Sequence, residues 1–359
     1  VGDPDHDRLD TSRAPVGRAE EPHACRGERD HCPIVGVRAA NVLPLGLEHP
    51  NDHEGDGLDP HRRADHRLER ELRTEQLAGL TAAFALGQAF GPALSRHQLV
   101  TQLVEGGFPG ELTAINPKGE CPEGFPEVAG AASLAAGRGA VDLALVAVPA
   151  PHVVEVVRAC GEAGVGFAVV LTSGFAETGR VEEEQALRQA AREAKVRLIG
   201  PNCAGIMNTA SRLYASIEVR ALRGRTAFIT QSGAVGGAVL GLALERGIGF
   251  SSFVSYGNRA DIDEVQLLQH LGDDPETDVI ALYLESLIDG RAFLRTLQQV
   301  TRRKPVVIIK AGRSSSGLRA ASSHTGSLAG SDAVFQAMVA QGGALRAAGM
   351  EEMLDLCDG

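Results

Sequence analysis

The sequence predicts an α/β protein built from two doubly wound parallel sheets. Three observations support this prediction. After about residue 95, short runs rich in β-branched residues alternate with amphipathic stretches, most of the runs end in Pro, Gly, Ser or Asn, and they form two successive arrays. This alternation is typical of βαβ units, whose strands are buried on both faces. A chain of 359 residues with 43% hydrophobic content can form two or three globular domains.

The first array contains four predicted strands and two predicted helices. The strands are ELTAIN (111–116), VDLALVAVP (141–149), GFAVVLTS (166–173) and VRLIGPN (196–202). The helices span 151–164, which starts near a proline, and 180–195, whose opening turns are rich in Glu. Both features are typical of helix N-termini.

The second array repeats the pattern after a joining segment at about 208–224. Its predicted strands are TAFITQS (226–232), SSFVSYG (251–257), DVIALYLES (278–286) and KPVVIIKAG (304–312). Its predicted helices lie near 233–246, 261–271, 290–302 and 331–341.

Residues 1–75 differ in character from the rest of the chain. They hold seven of the eleven histidines, much Arg, Asp and Pro, and no Phe, Tyr or Trp. Because such a segment buries too little apolar surface to offset its ordering entropy, we expect disorder there. His23, Cys25, His31 and Cys32 match no common zinc spacing, so a solvated tail is favoured over a zinc site and no metal is expected.

Composition and charge limit the function classes. A net charge of −11 argues against nucleic acid as a partner. No run of about 18 apolar residues exists and the start of the chain is polar, so neither a membrane span nor a signal peptide is expected, and a cytoplasmic location is the default expectation. The six cysteines are scattered in a chain too long for a disulfide-stapled mini-protein, which favours reduced thiols.

In doubly wound sheets, ligands bind at the carboxyl ends of the strands. Ser232-Gly233-Ala234 ends one strand and opens a helix, an arrangement suited to phosphate, with a tight glycine turn as the alternative. Glu285 ends another strand, where a surface or capping role is the alternative. His324 follows in AASSHTGSLAGSD (320–332), before Ser331 and Asp332 as predicted N-cap residues.

These groups together favour phosphoryl chemistry. An imidazole nitrogen can attack a phosphoryl group and hold it as phosphohistidine, while a carboxylate on the other ring nitrogen fixes the tautomer. The small residues around His324 allow close approach to a ligand.

Several motifs carry a family resemblance. LTSGFAETG, LIGPNCAGIMN, ITQSGAVGGAVL, SYGNRADIDEVQLLQHLGDDPETDVIALYLESL and KPVVIIKAGRSSSGLRAASSHTGSLAGSD resemble the NDP-forming acyl-CoA synthetases, the ADP-forming acetyl-CoA synthetase group related to the succinyl-CoA synthetase α chain. The resemblance covers about residues 95–355. It implies a Rossmann-like CoA-binding domain at 79–210 and a flavodoxin-like CoA-ligase domain at 222–355.

The resemblance also implies roles for particular residues. His324 matches the phosphorylated histidine and Glu285 its carboxylate partner. The phosphate-binding helix start of the family is matched by Ser232 and Gly233. Further phosphate contacts are expected from Thr325 and Gly326. The loops that line the CoA nucleotide are matched by Lys118, Val148, Pro149, Ser173 and Gly174. The place where the acyl group meets phosphate is matched by Pro201 and Asn202. The implied reaction interconverts acyl-CoA, phosphate and ADP with a carboxylic acid, CoA and ATP.

The chain departs from the family pattern at both ends. No glycine-rich CoA loop is apparent near residue 79, so the first strand and its loop are expected to be lost. Residues 1–78 are then either an out-of-frame start or a true disordered extension. No ATP-grasp domain follows MEEMLDLCDG, so ADP or ATP and Mg²⁺ are expected to bind a partner domain or β subunit, in an oligomer.

Two rival functions remain. A regulatory CoA-binding module predicts CoA binding without phosphohistidine, but the presence of both His324 and Glu285 weighs against it. A nicotinamide-dependent oxidoreductase is suggested by the fold class alone and lacks the glycine fingerprint that such a site requires. Acyl specificity, and the choice between ADP and GDP, cannot be predicted from the motifs.

Overall fold

The computed structural model describes residues 34–37, 83–86, 94–116, 127–129, 141–312 and 332–358. All of these belong to one compact unit, His31–Gly359. Two seven-stranded sheets organise this unit, each with helices packed against it.

The first sheet has the order β4-β3-β1-β2-β5-β6-β7. Its strands are β1 (Ile34–Val37), β2 (Ala83–Leu86), β3 (Leu112–Asn116), β4 (Glu127–Ala129), β5 (Leu143–Ala147), β6 (Phe167–Val170) and β7 (Arg197–Ile199). The pairs β2–β5, β5–β6, β6–β7 and β3–β4 are parallel, whereas β1 pairs antiparallel with β2, β3 and β5. The helices are α1 (Leu94–Glu105), α2 (Ala150–Glu162) and α3 (Val181–Ala194).

Three strands of this sheet, β1, β2 and β4, were not predicted from the sequence. No strand was predicted before residue 111, yet β1 lies within 1–78. β2 pairs in parallel with β5, which is the position expected for the first strand of the CoA-binding domain. The expectation of a lost first strand is therefore corrected. IVGV and AFAL are four-residue runs, too short to show a period, and their strand character depends on pairing with distant segments. The loop after β2 lies outside the described residues.

The second sheet has the order β14-β13-β12-β10-β11-β8-β9. Its strands are β8 (Gly205–Asn208), β9 (Leu213–Ser216), β10 (Arg223–Thr230), β11 (Phe250–Ser255), β12 (Val279–Leu284), β13 (Val306–Lys310) and β14 (Leu345–Arg346). β10 to β14 pair in parallel, and the β8–β9 hairpin adds two antiparallel strands beside β11. The hairpin begins just before the region predicted as a joining segment, about 208–224, and covers its first half.

Five helices accompany the second sheet: α4 (Gly233–Arg246), α5 (Glu264–Asp273), α6 (Gly290–Val300), α7 (Asp332–Gln341) and α8 (Met350–Asp358). Local capping explains where several begin. Asp263 and Gln266 form a capping box at the start of α5, and Asp289 accepts hydrogen bonds from the amides of Arg291 and Ala292 in the first turn of α6. The predicted helix at 233–246 is confirmed with the same bounds.

One hydrophobic core runs through both sheets. Leu145 and Val169 of the first sheet belong to the same buried cluster as Val254 and Leu282 of the second. Beside this core, Arg197 of β7 donates through Nε to Asp261 Oδ2 at 2.8 Å, and the Leu198 amide donates to the same oxygen at 2.9 Å. Since Arg197 is only 4% exposed, the ion pair is a desolvated link between the two halves.

Candidate active-site cleft

A cleft of about 510 Å³ lies at the carboxyl ends of strands from both sheets. Its walls come from the segments after β6, β7, β9, β10, β11 and β12. The polar and charged side chains that line it are Glu177, Glu184, Asn202, Glu218, Gln231, Ser232, Asn258, Arg259, Glu285 and Ser286. The position agrees with the rule that ligands bind outside the carboxyl ends of parallel strands.

The start of α4 forms one side of this cleft. Ser232 is the N-cap residue, and its Oγ accepts from the Val235 amide at 3.4 Å. Thr230 Oγ1 donates to the Ser232 carbonyl at 2.8 Å and accepts from the Ser232 amide at 3.1 Å, so the turn is fixed from both directions. The first-turn amides at Gly233 and Ala234 have no acceptor within the helix. Together with the helix dipole they are suited to bind an anion in the cleft.

Glu285 enters the cleft from the end of β12. Its amide donates to Gln231 Oε1, as does the Ser286 amide at 3.0 Å. Lys310 Nζ donates to the carbonyl of Glu285 at 2.8 Å, and burial lowers the pKa of this amine. The main chain that carries Glu285 is therefore held by one side chain from β13 and one from the loop after β10.

Arg259 supplies the cationic side chain of the cleft. Nη1 donates to the Ser286 carbonyl at 2.7 Å, Nη2 donates to Ser286 Oγ at 2.6 Å, and Nη1 lies 3.4 Å from Glu264 Oε2. Burial raises the pKa of Glu264, and the charge of Arg259 partly offsets this effect. Arg259 lies within the SYGNRADIDEV motif but was not predicted as a site residue, although a cation in a loop after a parallel strand is a signal that could have identified it.

Asn258 joins the two halves of the cleft. Its Nδ2 donates to Glu177 Oε2 at 2.5 Å and to Glu184 Oε2 at 2.8 Å, while its Oδ1 accepts from Asn202 Nδ2 at 3.1 Å. Glu177 also accepts from the amides of Gly174 and Phe175. The loop after β6 is thereby tied to the loop after β11.

The predicted site residues fall into two described groups. Ser232, Gly233, Asn202 and Glu285 line the cleft together. Val148, Pro149, Ser173 and Gly174 lie in the loops after β5 and β6, and Pro201 lies in the loop after β7, where its carbonyl accepts from the Asn258 amide at 2.9 Å.

The loops after β5 and β6 lie side by side. Thr172 Oγ1 donates to the Val148 carbonyl at 2.7 Å, and a Cβ on Gly174 would lie 3.5 Å from Ala150 Cβ. Gly174 has a φ of 101°, a conformation that requires glycine. Lys118, His324, Thr325 and Gly326 are outside the described residues, so their roles stay predictions.

Cys203 also lines the cleft, but its thiol is not activated. It is 2% exposed, it donates to the Val170 carbonyl at 3.2 Å, and burial raises its pKa to about 12. A thiol in this state is not a nucleophile at neutral pH.

Within the described residues, no group of three or more His, Cys, Asp or Glu side chains is arranged to hold a metal ion. None of the helices in the described ranges has the length and apolar character needed to cross a membrane.

Comparison with known families matches both halves of the chain. A model described as a CoA binding domain matches residues 92–209, and one described as a succinyl-CoA ligase like flavodoxin domain matches residues 223–358. The segment between the two matches contains β9, the second strand of the β8–β9 hairpin.

Similar proteins and a similar structure agree with these matches. The alpha subunit of ADP-forming acetate–CoA ligase II from Pyrococcus furiosus is 46% identical over 61% of this chain and 48% of its own length. The alpha subunit of ligase I from the same organism is 38% identical over 79% of this chain and 62% of its own. A structure of a dinucleotide forming acetyl-coenzyme A synthetase 1 from Ca. Korarchaeum cryptofilum, in complex with phosphate and ADP, has a TM-score of 0.70 at 40% identity, over 80% of this chain and 61% of that one.

The chain spans about half to three fifths of the length of these relatives. Within that span, the order of the two domains agrees with the order that the motifs predict. The chain therefore belongs to the NDP-forming acyl-CoA synthetase family, with a CoA-binding domain followed by a flavodoxin-like domain of the succinyl-CoA ligase type.

Proposed function

We propose that this chain carries the CoA and acyl-phosphate half of an NDP-forming acyl-CoA ligase. The observation that supports this most strongly is the shared cleft, where the first turn of α4, the guanidinium of Arg259 and the carboxyl group of Glu285 meet walls from both domains. An anion-binding helix start beside a cation is the electrostatic arrangement that phosphate and an acyl phosphate need.

The first proposed step exchanges CoA for phosphate. A phosphate oxygen attacks the thioester carbonyl, the carbon–sulfur bond breaks, and CoA leaves as the thiolate, which takes up a proton. The acyl phosphate stays in the cleft, with the amides of Gly233 and Ala234 and the side chain of Arg259 offsetting its charge. The loops with Val148, Pro149, Ser173 and Gly174, together with Lys118, bind CoA in this proposal.

The second proposed step uses His324. An imidazole nitrogen attacks phosphorus, the bond from phosphorus to the acyl oxygen breaks, and the carboxylic acid leaves as its carboxylate. Glu285 orients the ring and offsets the charge that develops on it, while Thr325 and Gly326 contact the phosphoryl group.

The final proposed step requires a partner. An ATP-grasp domain or β subunit supplies the site where a nucleoside diphosphate and Mg²⁺ accept the phosphoryl group from His324. The substrate is a small carboxylic acid, and the assembly is a cytoplasmic oligomer.

Labelling with ³²P-acetyl phosphate tests the histidine step. We expect the wild-type chain to retain acid-labile, base-stable label in a stoichiometric amount, and His324→Ala to retain none. His270→Ala is a matched control, because His270 lies on α5 and does not line the cleft. Equal labelling of wild type and His324→Ala overturns the assignment.

A further inference from the structure

Glu218 presents to the cleft a carboxyl group that the proposed reaction does not use. It follows β9, it is half-buried, and it lines the cleft together with Ser232 and Gly233. Its main chain is held on both sides, because the amide donates to Ser216 Oγ at 3.1 Å and the carbonyl accepts from Gln102 Nε2 at 3.0 Å. The side chain therefore extends from a fixed point.

The carboxyl group of Glu218 packs against α4. A Cβ at position 237 would lie 2.1 Å from Glu218 Oε2, so this carboxyl group lies directly against the helix at Gly237. Gly237 is one turn beyond Gly233, roughly 6 Å along the helix axis. The Glu218 carboxyl group thus lies about one turn from the amides proposed to bind phosphate.

Glu218 lacks the donors that its neighbours have. Glu177 and Glu184 each accept from Asn258 and from main-chain amides. Across the ranges that the structure describes, no hydrogen bond or ion pair reaches the Glu218 carboxyl group, and burial raises its pKa. A partly buried carboxylate without a hydrogen-bond donor is energetically unfavourable. A ligand that supplies a donor to it therefore binds more tightly than one that does not.

We propose that Glu218 selects the acyl group of the substrate. Short acyl chains that carry a hydroxyl or ammonium donor a few bonds from the carbonyl are preferred, and chains with a second carboxylate are rejected. With phosphate at the first turn of α4, a short acyl chain along the helix brings such a donor to Glu218, whereas a second carboxylate meets like charge. This inference rests on the proposed formation of an acyl phosphate in the cleft.

Arsenolysis of acyl-CoA tests the inference without a nucleotide site. Arsenate replaces phosphate, an arsenate oxygen attacks the thioester carbonyl, CoA leaves as the thiolate, and the acyl arsenate is hydrolysed by water to acid and arsenate. CoA release is followed with a thiol reagent. The probes are butyryl-CoA, each enantiomer of 3-hydroxybutyryl-CoA, and succinyl-CoA, whose acyl chains have equal carbon number.

In the wild type, we expect kcat/KM for one 3-hydroxybutyryl-CoA enantiomer to exceed that for butyryl-CoA by about tenfold. Glu218→Ala should reduce this ratio to about one, and Glu218→Gln should reduce it in part and raise the succinyl-CoA rate. Glu245→Ala removes a carboxylate from an exposed position on α4, the helix that Glu218 packs against, and should leave the ratio unchanged. Because the readout is a ratio, a general loss of activity cancels.

A wild type without this preference, or a ratio that persists in both Glu218 variants, overturns the inference. If Glu218→Ala fails to fold, the isosteric Glu218→Gln decides. If CoA is released from all probes with similar kcat/KM, only the proposed acyl specificity of Glu218 is overturned. No release from any probe overturns the proposed function, and the specificity with it.

Discussion

Arg259 donates to Ser286 twice, from Nη2 to Oγ at 2.6 Å and from Nη1 to the carbonyl at 2.7 Å. These bonds fix the loop after β11 to the end of β12, where both line the cleft. Arg259 has a φ of 52°, in the left-handed region that residues other than glycine rarely adopt. The contacts of its guanidinium therefore hold an unfavourable main-chain conformation in place.

Replacement of Arg259 should destabilise the fold through Glu264. Glu264 is 1% exposed, and Arg259→Met leaves its carboxylate without a cation. We expect the free energy of unfolding, measured with urea, to fall by about 3 kcal/mol. The double variant Arg259→Met/Glu264→Gln should recover part of this loss, since the buried charge is then absent. Strictly additive losses in the two variants would contradict the pairing.

The Arg197–Asp261 ion pair should contribute more to stability than an exposed pair of similar geometry. Asp261→Ala removes the partner of an arginine whose side chain is 5% exposed, and we expect the free energy of unfolding to fall by about 3 kcal/mol. Asp278→Ala breaks the exposed pair with Arg225 and should leave the denaturation midpoint nearly unchanged. Equal losses of unfolding free energy in Asp261→Ala and Asp278→Ala would show that burial does not determine how much an ion pair contributes to stability.

Two glycines of α4 should respond to alanine to different extents. Gly241 has no atom within 4 Å of the Cβ position, so Gly241→Ala should stabilise the protein by about 0.5–1 kcal/mol through helix propensity. Gly237→Ala has the same propensity gain but must displace the Glu218 carboxyl group, the end of a flexible side chain, so it should stabilise the protein less. Adding Glu218→Ala to Gly237→Ala should recover the rest of the gain, as measured by thermal unfolding; no recovery would place the clash elsewhere.

Glu218 should make stability depend on pH. Burial raises its pKa in the folded state above the ordinary value of 4.5, so the folded chain binds this proton more tightly than the unfolded chain. The resulting stabilisation is complete below pH 4.5 and is lost as pH rises through the folded-state pKa. Glu218→Gln removes this dependence, so we expect its Tm to exceed that of the wild type at pH 7 and the difference to vanish near pH 4. A Tm difference independent of pH would contradict the raised pKa.

The fold could be predicted where strands are buried on both faces. β5 and β10 to β13 are long enough, and rich enough in β-branched residues, to stand out between amphipathic helices. The β8–β9 hairpin could not be predicted, because GIMN and LYAS are four-residue strands whose position depends on pairing with β11, more than 30 residues away. The same reason applies to β2.

The cleft could be predicted only in part. Ser232 and Glu285 end predicted strands within motifs, so their position at one rim followed from the topology. Asn258 and Glu218 take their roles from contacts with residues 81 and 116 positions away, Glu177 and Gln102, which no local pattern encodes. Side-chain hydrogen bonds between distant segments help to determine which polar residues of a loop line the cleft.

An oxygen-isotope experiment tests the central claim most directly. The wild-type chain is mixed with acetyl-CoA and ¹⁸O-labelled phosphate, and the acetate released in the first turnover is analysed by mass spectrometry. If acyl phosphate forms in the cleft and His324 then takes the phosphoryl group, one ¹⁸O atom stays in the acetate, in a burst that matches the amount of protein. The burst should be absent in His324→Ala, which should still release CoA. Acetate without ¹⁸O would contradict the account.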